Sequence, residues 1–211
     1  MPAPIARYDA AMKFCSDCAG PLVEHTPAGD DRPRRWCPAC EKAHYQNPLV
    51  VVGCLVERGD EVLLCRRAIE PSHGKWTVPA GFLELGETLA AGAARETREE
   101  AGAEVEVIAP HSHLDLTHIG QHYAMFRARL TAPDVSPGAE SLECAWVSRK
   151  DVPWTELAFP AVHFALQLLY EDRDQGAAHL HHGQIRWSGA GSRFSASNYR
   201  LTDHLRTPVA R

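Results

Sequence analysis

Two groups of residues in this sequence have the types and the spacing to hold metal ions. The first lies in GFLELGETLAAGAARETREEAGA, residues 81–103. On a helix, about 100° per residue places Glu96, Glu99 and Glu100 on one stripe as i, i+3 and i+4 neighbours. Arg95 stands one turn before Glu99, near enough to pair with it. Ala90, Ala93, Ala94 and Ala101 fill the adjoining face and would let the helix lie close against a sheet. Carboxylates crowded on one stripe repel, each pair costing roughly 0.2–0.5 kcal/mol even when exposed. Beside a buried face such a stripe calls for a counter-charge, and hard cations such as Mg²⁺ or Mn²⁺ take oxygen ligands. An isolated ETREE is more often a solvated helix face, so the residues around it must decide.

The second group is cysteine. Cys15-x-x-Cys18 and Cys37-x-x-Cys40 are separated by 18 residues. That spacing fits a zinc ribbon, in which four thiolates close a tetrahedral Zn²⁺ site with no open position, so the ion would be structural. Incidental or redox dithiols are the alternative. Two such knuckles in one helix-poor segment argue against it. His25 and His44 lie nearby and read as surface residues. Cys54, Cys65 and Cys144 sit in apolar runs and read as buried small hydrophobes.

The elements that must position these groups follow from pattern. Residues 12–45 are short, polar and turn-rich, with Gly20, Pro21, Pro27, Gly29, Pro33 and Pro38, and leave no room for a useful helix. LVVVGCLV suits a buried strand, and VLLCRR returns after a turn, so 49–67 reads as a hairpin. The stretch 70–85 reads as loop. Residues 88–101 are helical in spacing, with Gly102 where a C-cap glycine belongs. Further strands are predicted at 104–109, 121–130 and 142–147. A closing helix is predicted over 161–172, with Phe164, Leu168 and Leu169 on one face. The expected domains are a zinc ribbon at 12–45, a catalytic domain at 46–172 and a C-terminal extension at 173–211. That extension is polar and reads as partly disordered or wrapped on a neighbour. The formal charge of −5 speaks against a strongly basic nucleic-acid binder. Leu49–Val56, the most apolar run, is too short to span a bilayer, and the N-terminus has no apolar signal core. A cytoplasmic protein is expected.

The residues around the acidic stripe fix its meaning. Gly81 is followed after five residues by Glu87, then after seven by Arg95-Glu96, then by Glu99-Glu100 and Gly102. This resembles the Nudix box, Gly-x(5)-Glu-x(7)-Arg-Glu-U-x-Glu-Glu-x-Gly-U, with Thr97 and Ala103 standing where bulkier aliphatics are common. The resemblance implies a loop–helix–loop whose Glu96, Glu99 and Glu100 ligate Mg²⁺ or Mn²⁺. It implies Arg95 and Glu87 as residues that orient those carboxylates, and a backbone carbonyl at Gly81 as a further ligand. A carboxylate then takes the proton from an activated water. Family members often recruit one more acid from a loop. Glu143 resembles the usual placement before the last strand, and Glu140 is the other candidate.

Zinc ribbons joined to Nudix domains occur in bacterial NADH pyrophosphatases. Their SQPWPFP-type signature is missing after Ala103, where the sequence reads EVEVIAPHSHLDLTHIG. This turns the reading away from NADH and NAD-capped RNA. The runs FCSDCAGPL, AHYQNPLVVVGCLVE, VLLCRRAIEPSHGKWTVPAGFLELGET, HLDLTHIGQHY and GAESLEC are similar to the plant chloroplast Nudix hydrolases that act on FAD and ADP-ribose, and to their bacterial relatives. The expected fold is an α/β Nudix α/β/α sandwich with a mixed sheet, preceded by the small ribbon. The expected activity is pyrophosphohydrolysis of nucleoside diphosphate-X compounds, FAD and ADP-ribose first, releasing AMP. A homodimer follows from the same resemblance. NADH or another dinucleotide is the rival substrate. A rival of another class is an ADP-ribose-sensing regulator with a nucleic-acid-binding ribbon. A pure sensor has no use for three intact carboxylates, so no nucleic-acid partner is expected. Arg66 and Arg67 are candidates to meet phosphates. Trp76, Phe82 and Tyr123 could stack on a ring, though core packing is the plainer role for each.

Overall fold

A computed structural model of the chain describes residues 12–133 and 135–209. The chain divides at Pro48/Leu49 into two units. In the first, β1 (Val23–His25), β2 (Arg34–Cys37) and β3 (Lys42–His44) form an antiparallel sheet in the order β1-β2-β3. Cys15, Cys37 and His44 are its buried residues among those described. The expected helix-free ribbon is what the segment builds.

The second unit is a mixed sheet between two helices. Its strands are β4 (Leu49–Arg58), β5 (Glu61–Arg67), β6 (Trp76–Thr77), β7 (Ala80–Phe82), β8 (Val105–Leu116), β9 (Gln121–Leu130), β10 (Ser141–Ser148), β11 (His179–Trp187) and β12 (Tyr199–Pro208). The main order is β10-β5-β4-β9-β8-β11-β12, with β6 on β5 and β7 on β4. β4 runs parallel to β9 and β11 parallel to β8; the other pairings are antiparallel. Alternation along β4 sets the two faces. Val51 and Leu55 point to the layer shared with α2 (Pro160–Asp174), against Val162, Leu166 and Leu169. Val52, Cys54 and Val56 point to the layer shared with α1 (Leu89–Ala101), against Ala93 and Ala101. The small residues of α1 therefore serve as expected.

The C-terminal segment differs from expectation. Instead of lying loose or wrapping a neighbour, it adds β11 and β12 beyond β8. In β11 the inward positions are His181, Gly183 and Ile185. The period-2 alternation of a strand is present, but only one of those three residues is a strong hydrophobe. β8 also runs past the expected 109, with register shifts at Val107/Ala109 and Pro110/Ser112 that absorb its proline.

One ion network ties the layers. Glu57 of β4 accepts from Arg127 of β9 at 2.6 and 3.1 Å, and from Arg173 of α2 at 2.8 Å. Burial pushes the Glu57 carboxyl up, but the two guanidinium groups prevail and hold it below 4.5. Glu57→Gln leaves two half-buried arginines without their counter-charge. We expect a loss of about 2–3 kcal/mol at pH 7. A depressed carboxylate stabilises above its unfolded pKa, and that stability fades as pH falls through the folded value. Urea unfolding should show the gap between wild type and Glu57→Gln start to close as pH falls below about 4.5; a gap that widens with acid would refute this.

Candidate active site

Local signals build α1. The Thr88 hydroxyl accepts from the Ala91 N–H at 3.2 Å, and Gly102 ends the helix at φ 59° with its N–H on the Arg98 carbonyl. On the stripe between these caps, Glu96 and Glu100 are buried, whereas Glu99 is exposed.

Arg95 is the hub. Its Nε and Nη2 grip both oxygens of Glu87 at 3.0 and 2.8 Å, a planar two-point fork. Its Nη1 reaches Glu96 at 2.8 Å and Glu99 at 2.9 Å, and Nη2 also donates to the Phe82 carbonyl at 3.1 Å. The Glu87 carboxylate further accepts the Glu84 N–H at 2.8 Å. Arg95, and then this N–H, hold Glu87 down at about 2. One cation thus fixes three acids and the strand above them.

That strand is β7. The Ala80 N–H donates to Glu100 Oε2 at 3.2 Å. The backbone of Gly81 lies directly over the Glu96 carboxylate, and a Cβ there would collide with all three of its carboxyl atoms. Close approach of backbone to side chain therefore requires glycine at 81. Burial pushes the Glu100 carboxyl up to about 8, against the Ala80 N–H, which favours the ionised form; Glu96 adds repulsion. Burial also raises Glu96, with Arg95 opposing and Glu99 and Glu140 adding repulsion. Two buried acids side by side, each held above its ordinary range, have much to gain from a cation. An oxygen donor set suits a hard ion, so Glu96, Glu99 and Glu100 could hold Mg²⁺ or Mn²⁺.

The C-terminal end of α1 is covered by the loop over 135–140. Ser136 N–H donates to the Ala101 carbonyl at 2.8 Å and Gly138 N–H to the Glu100 carbonyl at 3.0 Å. These bonds satisfy carbonyls that a helix end leaves open. A Cβ at Gly138 would overlap the Glu99 carbonyl. This docking brings Glu140 into electrostatic reach of both Glu96 and Glu100. Glu143, which the sequence placement favoured, is exposed and paired with Arg66 at 3.0 Å. Glu140 is exposed as well, and its charge helps to raise both buried carboxyls.

The other candidates separate. Arg67 is buried, donates Nε to the Pro71 carbonyl at 2.9 Å, and lies over the Phe159 ring at 5.0 Å. Its charge favours ionised Glu100. Arg66 is exposed and also donates to the Gly74 carbonyl at 2.9 Å. Trp76 is half-buried against the α2-side core, and Tyr123 is buried within it. Phe82, by contrast, is 50% exposed. Of the three rings, it is the one free to meet a ligand.

In the first unit the four cysteine sulfurs lie within 4.8 Å of one another. Cys15 and Cys40 are 4.0 Å apart, Cys18 and Cys37 3.5 Å. Asp17 N–H points at Cys15 Sγ and Gly20 N–H at Cys18 Sγ, each at 3.4 Å. Such bonds favour thiolates. Burial raises the Cys37 thiol, but the Cys40 N–H and neighbouring thiols bring it down to about 7. The group fits one Zn²⁺. The nearby arginines are largely spoken for: Arg34 pairs with Asp30 at 2.7 Å and Arg32 with Asp31 at 3.1 Å. Trp36 packs against His25 at 5.1 Å.

Comparison with known proteins agrees with this geometry. Residues 47–168 match the family model described as NUDIX domain, and residues 13–46 the one described as Nudix N-terminal, a zinc ribbon. A NUDIX hydrolase from Nitrosomonas europaea, known from its crystal structure, is 49% identical with a TM-score of 0.79; the match covers 82% of this chain and 99% of that one. The NAD-capped RNA hydrolase NudC of Stutzerimonas stutzeri is 33% identical over 179 residues, 79% of this chain and 58% of its own length. The human 8-oxo-dGDP phosphatase NUDT18 is 32% identical over 152 residues, 69% of this chain and 46% of its own length. The chain spans about half the length of the curated relatives it matches.

Proposed function

Because this chain belongs to the Nudix hydrolase family, we propose that it hydrolyses the diphosphate of a nucleoside diphosphate joined to a second group, with FAD and ADP-ribose as substrates and AMP as a product. The observation that carries this reading is the gathering of Glu96 and Glu100 beneath β7, with Arg95 fixing Glu87, Glu96 and Glu99 in one network. Glu96, Glu99 and Glu100, with the Gly81 carbonyl, would hold Mg²⁺ or Mn²⁺. A divalent ion supplies charge neutralisation at phosphorus and a more acidic water. The chain's own residues do the rest. Arg95 and Glu87 keep the carboxylates in register. Of the two loop acids, Glu140 is better placed than Glu143 to accept the proton of the attacking water. Arg66 can exchange its exposed partner Glu143 for a phosphate, and Phe82 offers a ring face beside Gly81. The four cysteines would hold Zn²⁺ as a structural ion.

The substrate assignment rests on the flanking runs shared with FAD/ADP-ribose hydrolases. A dinucleotide such as NADH, free or as an RNA cap, is the second reading, favoured by the name of the Stutzerimonas stutzeri relative. In the ribbon Arg32 and Arg34 are paired with Asp31 and Asp30, whereas no ion pair engages Arg35 among the described residues. A product assay with Mn²⁺ separates the readings. FAD should give FMN plus AMP, and ADP-ribose should give AMP plus ribose 5-phosphate. Turnover confined to NADH or NAD-capped RNA would replace the substrate. Riboflavin or adenosine as first products would reject the assigned bond. The homodimer inferred from the same resemblance is checked by light scattering on the eluting protein.

A further inference from the structure

A second cluster of metal-binding side chains lies on the α2 side of the sheet, where the diphosphate reaction has no use for it. His111 comes from β8, Asp172 from α2 and His181 from β11, and their exposures are 0%, 2% and 1%. One donor atom from each lies within 4.8 Å of the others. We propose that His111, Asp172 and His181 form a buried site for a divalent transition ion, Zn²⁺ before others, that pins the C-terminal strands to α2 and the central sheet.

The hydrogen bonds decide which atoms face the cluster. His111 Nε2 lies 3.0 Å from the Ala165 carbonyl, which can only accept. The ring proton therefore sits on Nε2, and Nδ1 carries a lone pair. That Nδ1 is buried and has no hydrogen-bond partner among the described residues. At His181 it is Nδ1 that is turned away from the cluster's carboxylate. Nδ1 is engaged by His204 Nε2 at 2.9 Å. Nε2 is buried and pairs loosely with Asp172 Oδ2 at 3.3 Å, outside good hydrogen-bond geometry. The carboxylate is itself held in place: the His179 N–H donates to Oδ2 at 2.8 Å, and His179 Nδ1 lies 2.6 Å from Oδ1.

Unpartnered polar atoms in an interior call for an explanation. A metal supplies one for His111 Nδ1 and would replace the loose His181–Asp172 pairing. Ligating imidazoles almost always give their other nitrogen to a carbonyl, a carboxylate or a similar acceptor, which fixes the ring and its tautomer. Here both rings have one nitrogen engaged, by the Ala165 carbonyl and by His204, and one donor atom of each lies within 4.8 Å of a braced carboxylate. Two imidazoles and one carboxylate favour Zn²⁺ over Mg²⁺ or Ca²⁺, which prefer all-oxygen sites. The same ion would account for a strand that places histidine and glycine at inward positions yet is held in the sheet.

Metal counting on the full chain tests this. After dialysis against a weak chelator, wild type should hold two zinc equivalents per chain by plasma mass spectrometry. Cys37→Ser should hold one, and its X-ray absorption should show nitrogen and oxygen neighbours with imidazole scattering and no sulfur. His181→Gln and Asp172→Asn should each lose one equivalent. Glu100→Gln should lose none, which separates this ion from any held by the acidic stripe. The Cys37→Ser measurement leaves the cluster untouched, so it decides the matter even if His181→Gln does not fold. A single wild-type zinc that vanishes in Cys37→Ser would overturn the proposal. So would a second zinc whose loss follows Glu100→Gln.

Discussion

Glu100→Gln is expected to lower kcat by roughly 10²–10⁴-fold while the melting temperature stays near that of wild type. The substituted amide would fill the same volume and still accept the Ala80 N–H through its one carbonyl oxygen. The folded chain should therefore lose little. It gains relief instead, because burial and Glu96 already hold the Glu100 carboxyl up at about 8. Burial outweighs the Ala80 N–H and the Arg67 charge, so a cation beside the acid would do most to favour its ionised form. Removing that charge should cost the reaction, not the structure. Arg98 serves as control. It is exposed on the same helix, with only a 3.9 Å contact to Glu104. Arg98→Gln should keep kcat within about threefold, as surface changes usually do. Both variants are to be assayed at saturating Mn²⁺ with thermal melts alongside. Near-normal turnover by Glu100→Gln, or loss of activity only through unfolding, would remove the basis for the metal stripe.

Cys37→Ser should unfold the first unit and leave the second intact. Of the described residues up to Pro48, Cys15, Cys37 and His44 are the buried ones. Two of the three belong to the cysteine cluster, so the cluster takes the place of an apolar core. Segments this small need a staple. Zinc in comparable peptides supplies about 10–16 kcal/mol, which is folding free energy when no preformed site exists. Hydrogen exchange should show protection lost over 13–46 and kept in the strands from β4 onward. Protection that survives without zinc would defeat the prediction.

What could be read in advance was what is written locally. α1 was legible from its cap glycine and the spacing of Glu96, Glu99 and Glu100, all within one segment. β4 and β5 were legible because their apolar runs are continuous. What lay beyond local reading has a common cause in long-range packing. Glu140 and Glu143 are near neighbours in sequence, and choosing between them depends on where Gly138 docks on α1. Phe82 lies outside the core on β7, a strand whose backbone is tied to α1 by Arg95. β11 was hidden because its inward positions hold His181 and Gly183. No local pattern announces that His181 will meet His111 and Asp172, drawn from a strand and a helix elsewhere in the chain.

The two added strands also change what the sheet presents to other molecules. Without them Ser112–Asp115 of β8, which pair with β11, would offer a row of unpaired peptide groups to any passing chain. With them the boundary moves to β12, which is poorly suited to templating. It carries Arg200, Asp203, His204 and Arg206, its pairing slips between His182 and Gln184, and Asp203 takes a left-handed φ of 53°. Charges, a bulge and a kink are the devices by which natural sheets refuse a further strand. The C-terminal segment thus acts as a selvage, a finished border that keeps the weave from catching.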